Sequence, residues 1–322
     1  MLIAYLQKVI INKHTFHAAL IIRLLNLVIV QSWFSPDEYW QSLEVAHKFV
    51  FGNGYLTWEW QYGIRSYAYV AFISLIYKIL QVLHLDSVFL LTNVPRILQG
   101  VFSAYADSCF VEWVRRETNL KQGAFALYAY YTCWFIAFCS TRTLINTAHL
   151  NFLRNYLFII LFCFSRNFAN LLITCAAIIN FGTLIFFGMF HQTGALTILN
   201  KVPVKPNTNL LILTPCHSTP LYSHIHANIS IRFLTCEPNL KTLPNYSDEA
   251  DKFYEDPLKW LQEEFRNGTN LPSHIISFEK LNDPILPFLH SNSYRLIERI
   301  FHAVFSPDDR ISSYICLFEK YR

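Results

Sequence analysis

Through residues 1–200, apolar positions come in long runs rather than in alternation. The first run, Ala18 to Val30, is interrupted by Arg23 and Asn26. Further runs cover Tyr67–Leu85, Val88–Phe110, Gly123–Ser140, Phe152–Phe164 and Ala169–Phe190. Crossing the apolar core of a bilayer takes about 20 residues of helix, so these runs predict about five or six spans. Phe152–Phe164 is short and is followed by Arg166 and Asn167, which makes it either a half-span or the continuation of its neighbour.

Charge placement orients the runs. Lys8 and Lys13 precede the first one, and Asp37 and Glu38 follow it. That asymmetry puts the N-terminus in the cytosol and the Asp37 loop on the far side. A cleaved signal peptide is the second reading, although no small-residue cleavage pattern follows the run. Two conflicts arise. Strict alternation strands Arg115, Arg116 and Lys121 in the lumen, unless one run between Tyr67 and Phe110 does not cross. Six crossings also return the tail to the cytosol. There the glycosylation sequons Asn228-Ile229-Ser230, Asn245-Tyr246-Ser247 and Asn267-Gly268-Thr269 would be idle.

Around Lys201–Pro206 the composition changes, and residues 201–322 read as a small soluble α/β domain. Leu210–Leu213, Ile229–Leu234, His274–Phe278 and Tyr314–Phe318 are its expected strands. Helices are expected to open at Ser247-Asp248-Glu249-Ala250 and at Asp256-Pro257, the latter running to Phe265 with proline in its first turn. The fold class is thus an α-helical polytopic membrane protein over residues 1–200, with a C-terminal α/β domain over 201–322. No internal repeat is visible.

Composition agrees with a membrane setting. Only 15% of residues are charged, where soluble domains carry about 25%. Mean hydropathy is +0.27. The 28 Phe and 18 Tyr suit a lipid-facing surface with interfacial belts. The net charge of +4 is small and argues nothing about nucleic acid, but no basic patch with interleaved aromatics is visible, and no nucleic-acid partner is expected. Of the eight cysteines, Cys109, Cys133, Cys139, Cys163 and Cys175 lie in or beside apolar runs as small hydrophobes. No CxxC pair occurs, which argues against zinc-ribbon and thioredoxin-like sites. Cys216 and Cys236 are free to pair if their region is lumenal. Together with His217, His224 and His226 they form the only metal-like group, at a spacing that matches no standard site. No P-loop, Ser-His-Asp or GxGxxG signature is present.

The candidate chemistry sits mostly after the first run. In Phe34-Ser35-Pro36-Asp37-Glu38-Tyr39-Trp40-Gln41-Ser42-Leu43-Glu44, Ser35 and Glu38 have capping-box spacing with Pro36 at the first helical position. Trp40, Leu43 and Val50, with His47 between, repeat at helical spacing and predict a helix along the membrane surface. Capping accounts for Glu38 but not for Asp37, Gln41 and Glu44. Those three fall at i, i+4 and i+7, on one face. That face is either solvated or the wall of a cavity for a sugar acceptor. In Trp58-Glu59-Trp60 the indoles are either sugar-stacking platforms or interfacial anchors. Arg65, Arg96 and Arg142 are phosphate candidates through their planar forks. Arg65 is equally a flanking charge, and Arg96 equally a partner for Asp107.

These strings resemble glycosyltransferase family 22. The resemblance rests on the Phe34–Glu44 string, Gly54-Tyr55-Leu56-Thr57-Trp58-Glu59-Trp60, Arg65-Ser66-Tyr67, Pro95-Arg96-Ile97-Leu98-Gln99 through Asp107, and Thr141-Arg142-Thr143-Leu144-Ile145-Asn146-Thr147. In the tail it rests on Pro215–Pro220, Tyr222-Ser223-His224 and Asp248-Glu249-Ala250-Asp251 with Phe253-Tyr254. It implies a multi-pass endoplasmic-reticulum enzyme of the GT-C fold with a catalytic loop over about 35–66. The implied activity is an inverting α-1,2-mannosyl transfer from dolichyl-phosphate mannose to a GPI-precursor glycolipid, adding its third mannose with no metal or other cofactor. On that resemblance Asp37 is the base and Glu38 orients the acceptor. Gln41, Glu44, Trp58, Glu59, Arg65, Arg96 and Arg142 are then the substrate-binding residues. Family members are longer, and the middle-region His-Lys-Glu…Arg-Phe motif has no counterpart here; His47-Lys48-Phe49 is not it. The chain therefore resembles a shortened form. A catalytically inactive product that binds lipid or partners is the alternative reading.

Overall fold

A computed structural model describes residues 13–144, 169–244, 246–266, 270–306 and 308–321. The expected run Phe152–Phe164, the segment Ile145-Asn146-Thr147, and the sequon residues Asn245 and Asn267 lie outside the described residues. The chain divides into two compact units, Met1–Ser32 with Phe89–Phe190, and Trp33–Val88 with His191–Arg322. The segment around Asp37 therefore shares a unit with the tail, and the composition change near Lys201 falls inside that unit.

The first unit is helical, with polar groups buried beside apolar ones and large apolar residues on its outside. The helix Lys13–Ile29 buries Ala19, Arg23 and Asn26, while Ile21, Leu25 and Val28 are exposed. Val88–Glu117 buries Gln99, Ser103, Asp107 and Ser108 alongside Leu91, Phe110, Val111 and Val114, and exposes Phe89 and Phe102. Polar groups inside and apolar groups outside is the arrangement a lipid solvent rewards. Arg23 Nε donates to Asp107 Oδ2 at 2.6 Å, and Tyr130 donates its hydroxyl to the same carboxylate. Asp107 thus pairs with Arg23 and not, as expected, with Arg96, which sits three turns away along the same helix. The expected span Gly123–Ser140 is not continuous. Cys133 takes an extended conformation (ψ 110°), so the run becomes two helices, Leu120–Thr132 and Trp134–Cys139. Ala169–Ile185 continues into a π-helical turn, Phe186–Phe190. Among the described residues, one helical stretch, Thr174–Lys201, is long and apolar enough to cross a membrane.

The second unit joins short helices to a mixed sheet. Pro36–Glu38, a π-helical turn Tyr39–Leu43, and Glu44–Phe51 run on as one helical segment. Ser35 caps it by accepting from the Asp37 N–H at 3.3 Å, with Pro36 in the first turn. Gly52 ends it in the left-handed region (φ 84°), where glycine carries no Cβ penalty. The segment does not lie on a surface: every residue from Glu38 to His47 is buried. Trp58–Gln61 and Ala68–Val82 follow. The latter has 15 residues, about 22 Å at helical rise, which is short for a span. It buries Val70, Ile73, Tyr77 and Leu80 and presents Leu75, Ile79 and Val82 outward with Lys78, so its outer face is apolar apart from the lysine.

In the tail, β1 (Asn209–Ile212), β2 (Ser230–Phe233), β3 (His274–Phe278), β4 (Tyr294–Phe301) and β5 (Tyr314–Lys320) form one sheet in the order β2-β1-β3-β5-β4. β1 runs parallel to β2 and β3, and β5 runs antiparallel to β3 and β4. Glu249–Glu255 and Pro257–Glu264 start on their expected caps, with Asp248 accepting from the Asp251 N–H and Asp256 from the Lys259 N–H. The core comprises Leu211, Phe253, Leu261, Ile275, Phe288 and Phe318, among others. Residues 201–322 do form an α/β arrangement, with β4 and the helix Asn282–Ser291 added to the expected elements.

Candidate active site

Asp37, Gln41, Glu59 and Arg65 converge within the second unit. Gln41 donates from Nε2 to Asp37 Oδ1 at 2.7 Å and reaches Glu59 Oε2 at 3.5 Å. Arg65 Nη2 donates to Glu59 Oε1 at 2.7 Å. Asp37 Oδ2 has no hydrogen-bond partner among the described residues, and neither do Arg65 Nη1 and Nε. Burial pushes the half-buried Asp37 carboxyl above its ordinary value; Arg65 pulls it back and Glu59 pushes it up further. The cluster therefore offers a carboxylate with a vacant oxygen and elevated basicity, near a partly exposed guanidinium with unused donors. Trp58 is half-buried beside Glu59 in sequence, while Trp60 is buried against Tyr67, with ring centroids 4.9 Å apart.

Glu38 and Glu44 differ from expectation. Glu38 is only 2% exposed, so it does not stand open beside Asp37. Glu44 is not on the Asp37 face. The π-helical turn carries one extra residue per turn, which sets every later side chain back by one position. Glu44 is instead fully buried. It accepts from the backbone N–H groups of Leu221 (2.8 Å), Tyr222 and Ser223 (both 3.1 Å), and from the Ser223 hydroxyl at 2.5 Å. Its carboxylate is filled and is unavailable to a substrate. Burial raises its pKa, and these hydrogen bonds lower it in part.

The displaced face belongs to Trp40, Glu44 and His47. Trp40 Nε1 donates to the Thr219 carbonyl at 3.2 Å, and its ring lies 4.3 Å from that of His217. His47 Nε2 meets His226 Nδ1 at 2.9 Å, and His226 Nε2 faces Asp86 at 3.4 Å. These contacts all fall on residues 217–226, within the loop closed by a Cys216–Cys236 disulfide. The disulfide removes both thiolates from the Cys216, His217, Cys236 cluster, the one metal-like grouping among the described residues. Neither Glu44's role nor the His47–His226–Asp86 chain was readable in advance. The only signal was the i, i+4, i+7 spacing of Trp40, Glu44 and His47.

Arg96 and Arg142 belong to the other unit. Arg142 is fully buried and donates to the Ser32 carbonyl at 2.9 Å and the Ser32 hydroxyl at 3.1 Å. Arg96 donates to the Val30 carbonyl. Both guanidinium groups thus serve the C-terminal end of the first helix, where carbonyls lack intrahelical donors and the dipole favours cations. A groove of about 440 Å³ between Glu44–Phe51 and Ala68–Val82 is lined by Phe49, Tyr67, Leu75 and Lys78, and none of the Asp37 cluster lines it.

The sequence pattern of the Alg9-like mannosyltransferase family matches residues 14–190, more than half of the 322. The chain belongs to that family. It is a glycosyltransferase of the mannosyl-transferring class, and the family resemblance read from the Phe34–Glu44 string holds. GPI alpha-1,2-mannosyltransferase 3 of Danio rerio is 27% identical over 476 aligned positions, covering 93% of this chain and 88% of that protein. The Homo sapiens protein of the same name is 27% identical over 474 positions, with 93% and 85% covered. GPI mannosyltransferase 3 of Drosophila melanogaster is 28% identical over 477, with 90% and 84% covered. An alignment of 476 positions against 322 residues leaves at least 154, their difference, without a residue of this chain. The chain is a shortened member at the level of sequence. No solved structure matches it.

Proposed function

We propose that this chain transfers mannose in α-1,2 linkage from dolichyl-phosphate mannose to a GPI-precursor glycolipid, adding the third mannose. The observation that carries the reading is the Asp37 carboxylate, raised in pKa and with one oxygen vacant, in hydrogen-bonded series with Gln41, Glu59 and Arg65. Asp37 Oδ2 takes the proton from the acceptor 2-hydroxyl. The freed oxygen forms a bond to C1 of the donor mannose as the bond from C1 to the phosphate oxygen breaks. Dolichyl phosphate leaves with the electron pair, and the β-linked donor gives an α-linked product. A base with elevated pKa removes a proton more effectively once it is ionised. Arg65, with Nη1 uncommitted, meets the charge on the departing phosphate. Gln41 fixes the orientation of Asp37, and Trp58 offers a ring face to a sugar. This transfer calls on no metal. Arg96 and Arg142 act at one remove, holding the chain at Val30 and Ser32 just ahead of the Asp37 segment.

The membrane reading is supported by the exposed apolar residues of the first unit and by its buried Arg23–Asp107 pair. Ala68–Val82, about 22 Å long and with Lys78 on its outer face, is read as an interfacial helix rather than a crossing. Taken from the upper count of six crossings, that leaves five, and on that count both sequence conflicts disappear. Arg115, Arg116 and Lys121 return to the cytosolic side, and an odd number of crossings carries residues 191–322 to the lumen. The Cys216–Cys236 disulfide supports a lumenal tail, because disulfides persist in oxidising compartments. The protein is proposed to be a multi-pass resident of the endoplasmic-reticulum membrane, its catalytic loop and α/β region both lumenal.

The test is mannosyl transfer from dolichyl-phosphate mannose to a GPI-precursor acceptor in membranes containing this chain. Activity should rise with pH through the elevated Asp37 titration. Asp37→Asn should remove the activity with the chain still inserted, and retained turnover in that variant removes Asp37 as the base.

A further inference from the structure

Asn228 stands apart from the site described above. It begins the sequon Asn228-Ile229-Ser230, with no proline at the middle position. Its side chain is exposed and makes no hydrogen bond among the described residues. Ser230, the hydroxyl residue of the sequon, is exposed at the first position of β2, and the intervening Ile229 is buried as an anchor. β2 is the outer strand of the sheet, paired on one side only, by β1. Exposed strand edges invite pairing with other chains, and a bulky solvated group at the start of the strand blocks that approach. Finally, Asn228 lies inside the loop closed by Cys216 and Cys236, so it shares whatever compartment forms that disulfide.

We infer that Asn228 carries an N-linked glycan. The inference rests on the lumenal placement of the tail proposed above. The Asn228 amide nitrogen attacks C1 of the first sugar of a lipid-pyrophosphate-linked oligosaccharide. The new C–N bond replaces the bond from C1 to the pyrophosphate oxygen. The lipid pyrophosphate leaves with that electron pair, and the amide proton passes to a base of the oligosaccharide-transferring enzyme. Asn228 touches none of Asp37, Gln41, Glu59 or Arg65, so the glycan decorates the enzyme without entering its chemistry.

The test uses the full chain expressed in eukaryotic cells with Asn245→Gln and Asn267→Gln, leaving Asn228 as the one intact sequon of the three. The expected result is a single glycan-sized step on a gel. An endoglycosidase should remove it, and either Asn228→Gln or Ser230→Ala should abolish it, while Ser230→Thr should retain it. Thiol alkylation with and without reduction reports the Cys216–Cys236 bond in the same sample. A formed disulfide with no step at Asn228 overturns the glycan and leaves the lumenal tail standing. Absence of both overturns the two together. A step at Asn228 in a chain without mannosyl transfer supports the glycan and counts only against the proposed function.

Discussion

Replacing Glu44 by alanine removes the acceptor for three backbone N–H groups and one hydroxyl at a fully buried point. The hydroxyl can rotate to another partner, but the amides of Leu221, Tyr222 and Ser223 cannot. Each buried donor left unsatisfied costs about 1–3 kcal/mol. The sum is reduced because a carboxylate no longer has to be buried, and burial is the leading cause of its raised pKa. Breaking a buried charged group away from its partners costs about 3–5 kcal/mol in general. Taking about 3 kcal/mol, exchange of these amides should accelerate about 100-fold, since local opening energies set protection. Glu44→Gln keeps one acceptor oxygen and should fall between wild type and Glu44→Ala, near tenfold, for about 1–3 kcal/mol lost. Hydrogen-exchange mass spectrometry of a peptide covering residues 221–223 reads this directly. Unchanged exchange in Glu44→Ala, or greater loss in Glu44→Gln than in Glu44→Ala, would refute the reasoning.

Gly54→Ala should destabilise the turn after Glu44–Phe51. A Cβ there falls 2.7 Å from Lys48 Cβ at φ +155°, so thermal unfolding should begin earlier, for a cost of about 1–3 kcal/mol. Burial pushes the His47 and His217 imidazoles down to about 4, from an ordinary 6.5. Between those values the unfolded chain binds more protons than the folded one. Stability should therefore fall as pH is lowered through that window, and His47→Asn should flatten the dependence measured by denaturant titration. Removing the disulfide with Cys216→Ser and Cys236→Ser releases a loop of sequence separation 20 and should cost about 3 kcal/mol on the chain-entropy account. Limited proteolysis within residues 216–236 should accelerate, and unchanged cleavage would contradict a stabilising role.

Much of the tail is legible in the sequence, because short β-branched and leucine-rich runs between turn residues have few other solutions. Leu210–Leu213 and His274–Phe278 fall on β1 and β3, buried on both faces. β4 escapes that reading because it is an edge strand carrying Arg295, Glu298 and Arg299. The helix Asn282–Ser291 escapes because Pro287 lies inside it. In the site, Asp37 and Gln41 are legible as helical neighbours, being four residues apart. Glu44 is not, because its i+7 spacing from Asp37 suggests a shared face that the π-helical turn between them breaks. The pairing of Trp40, Glu44 and His47 with residues 217–226 lies across about 180 residues of chain. Such contacts follow from tertiary packing, which periodicity does not encode. Arg142 reads as a phosphate ligand from its type alone, whereas in the structure Nη1 and Nη2 donate to Ser32 at a fully buried position.

The most direct measurement is complementation. This chain and its Asp37→Asn variant are expressed in cells lacking the GPI mannosyltransferase that adds the third mannose, and surface GPI-anchored protein is read by flow cytometry. The account predicts restored surface signal with the wild-type chain and none with Asp37→Asn at equal membrane insertion. A stably inserted wild-type chain that restores nothing contradicts it. That result would mean the shortened member keeps the family's Asp37 loop and tail without its catalysis.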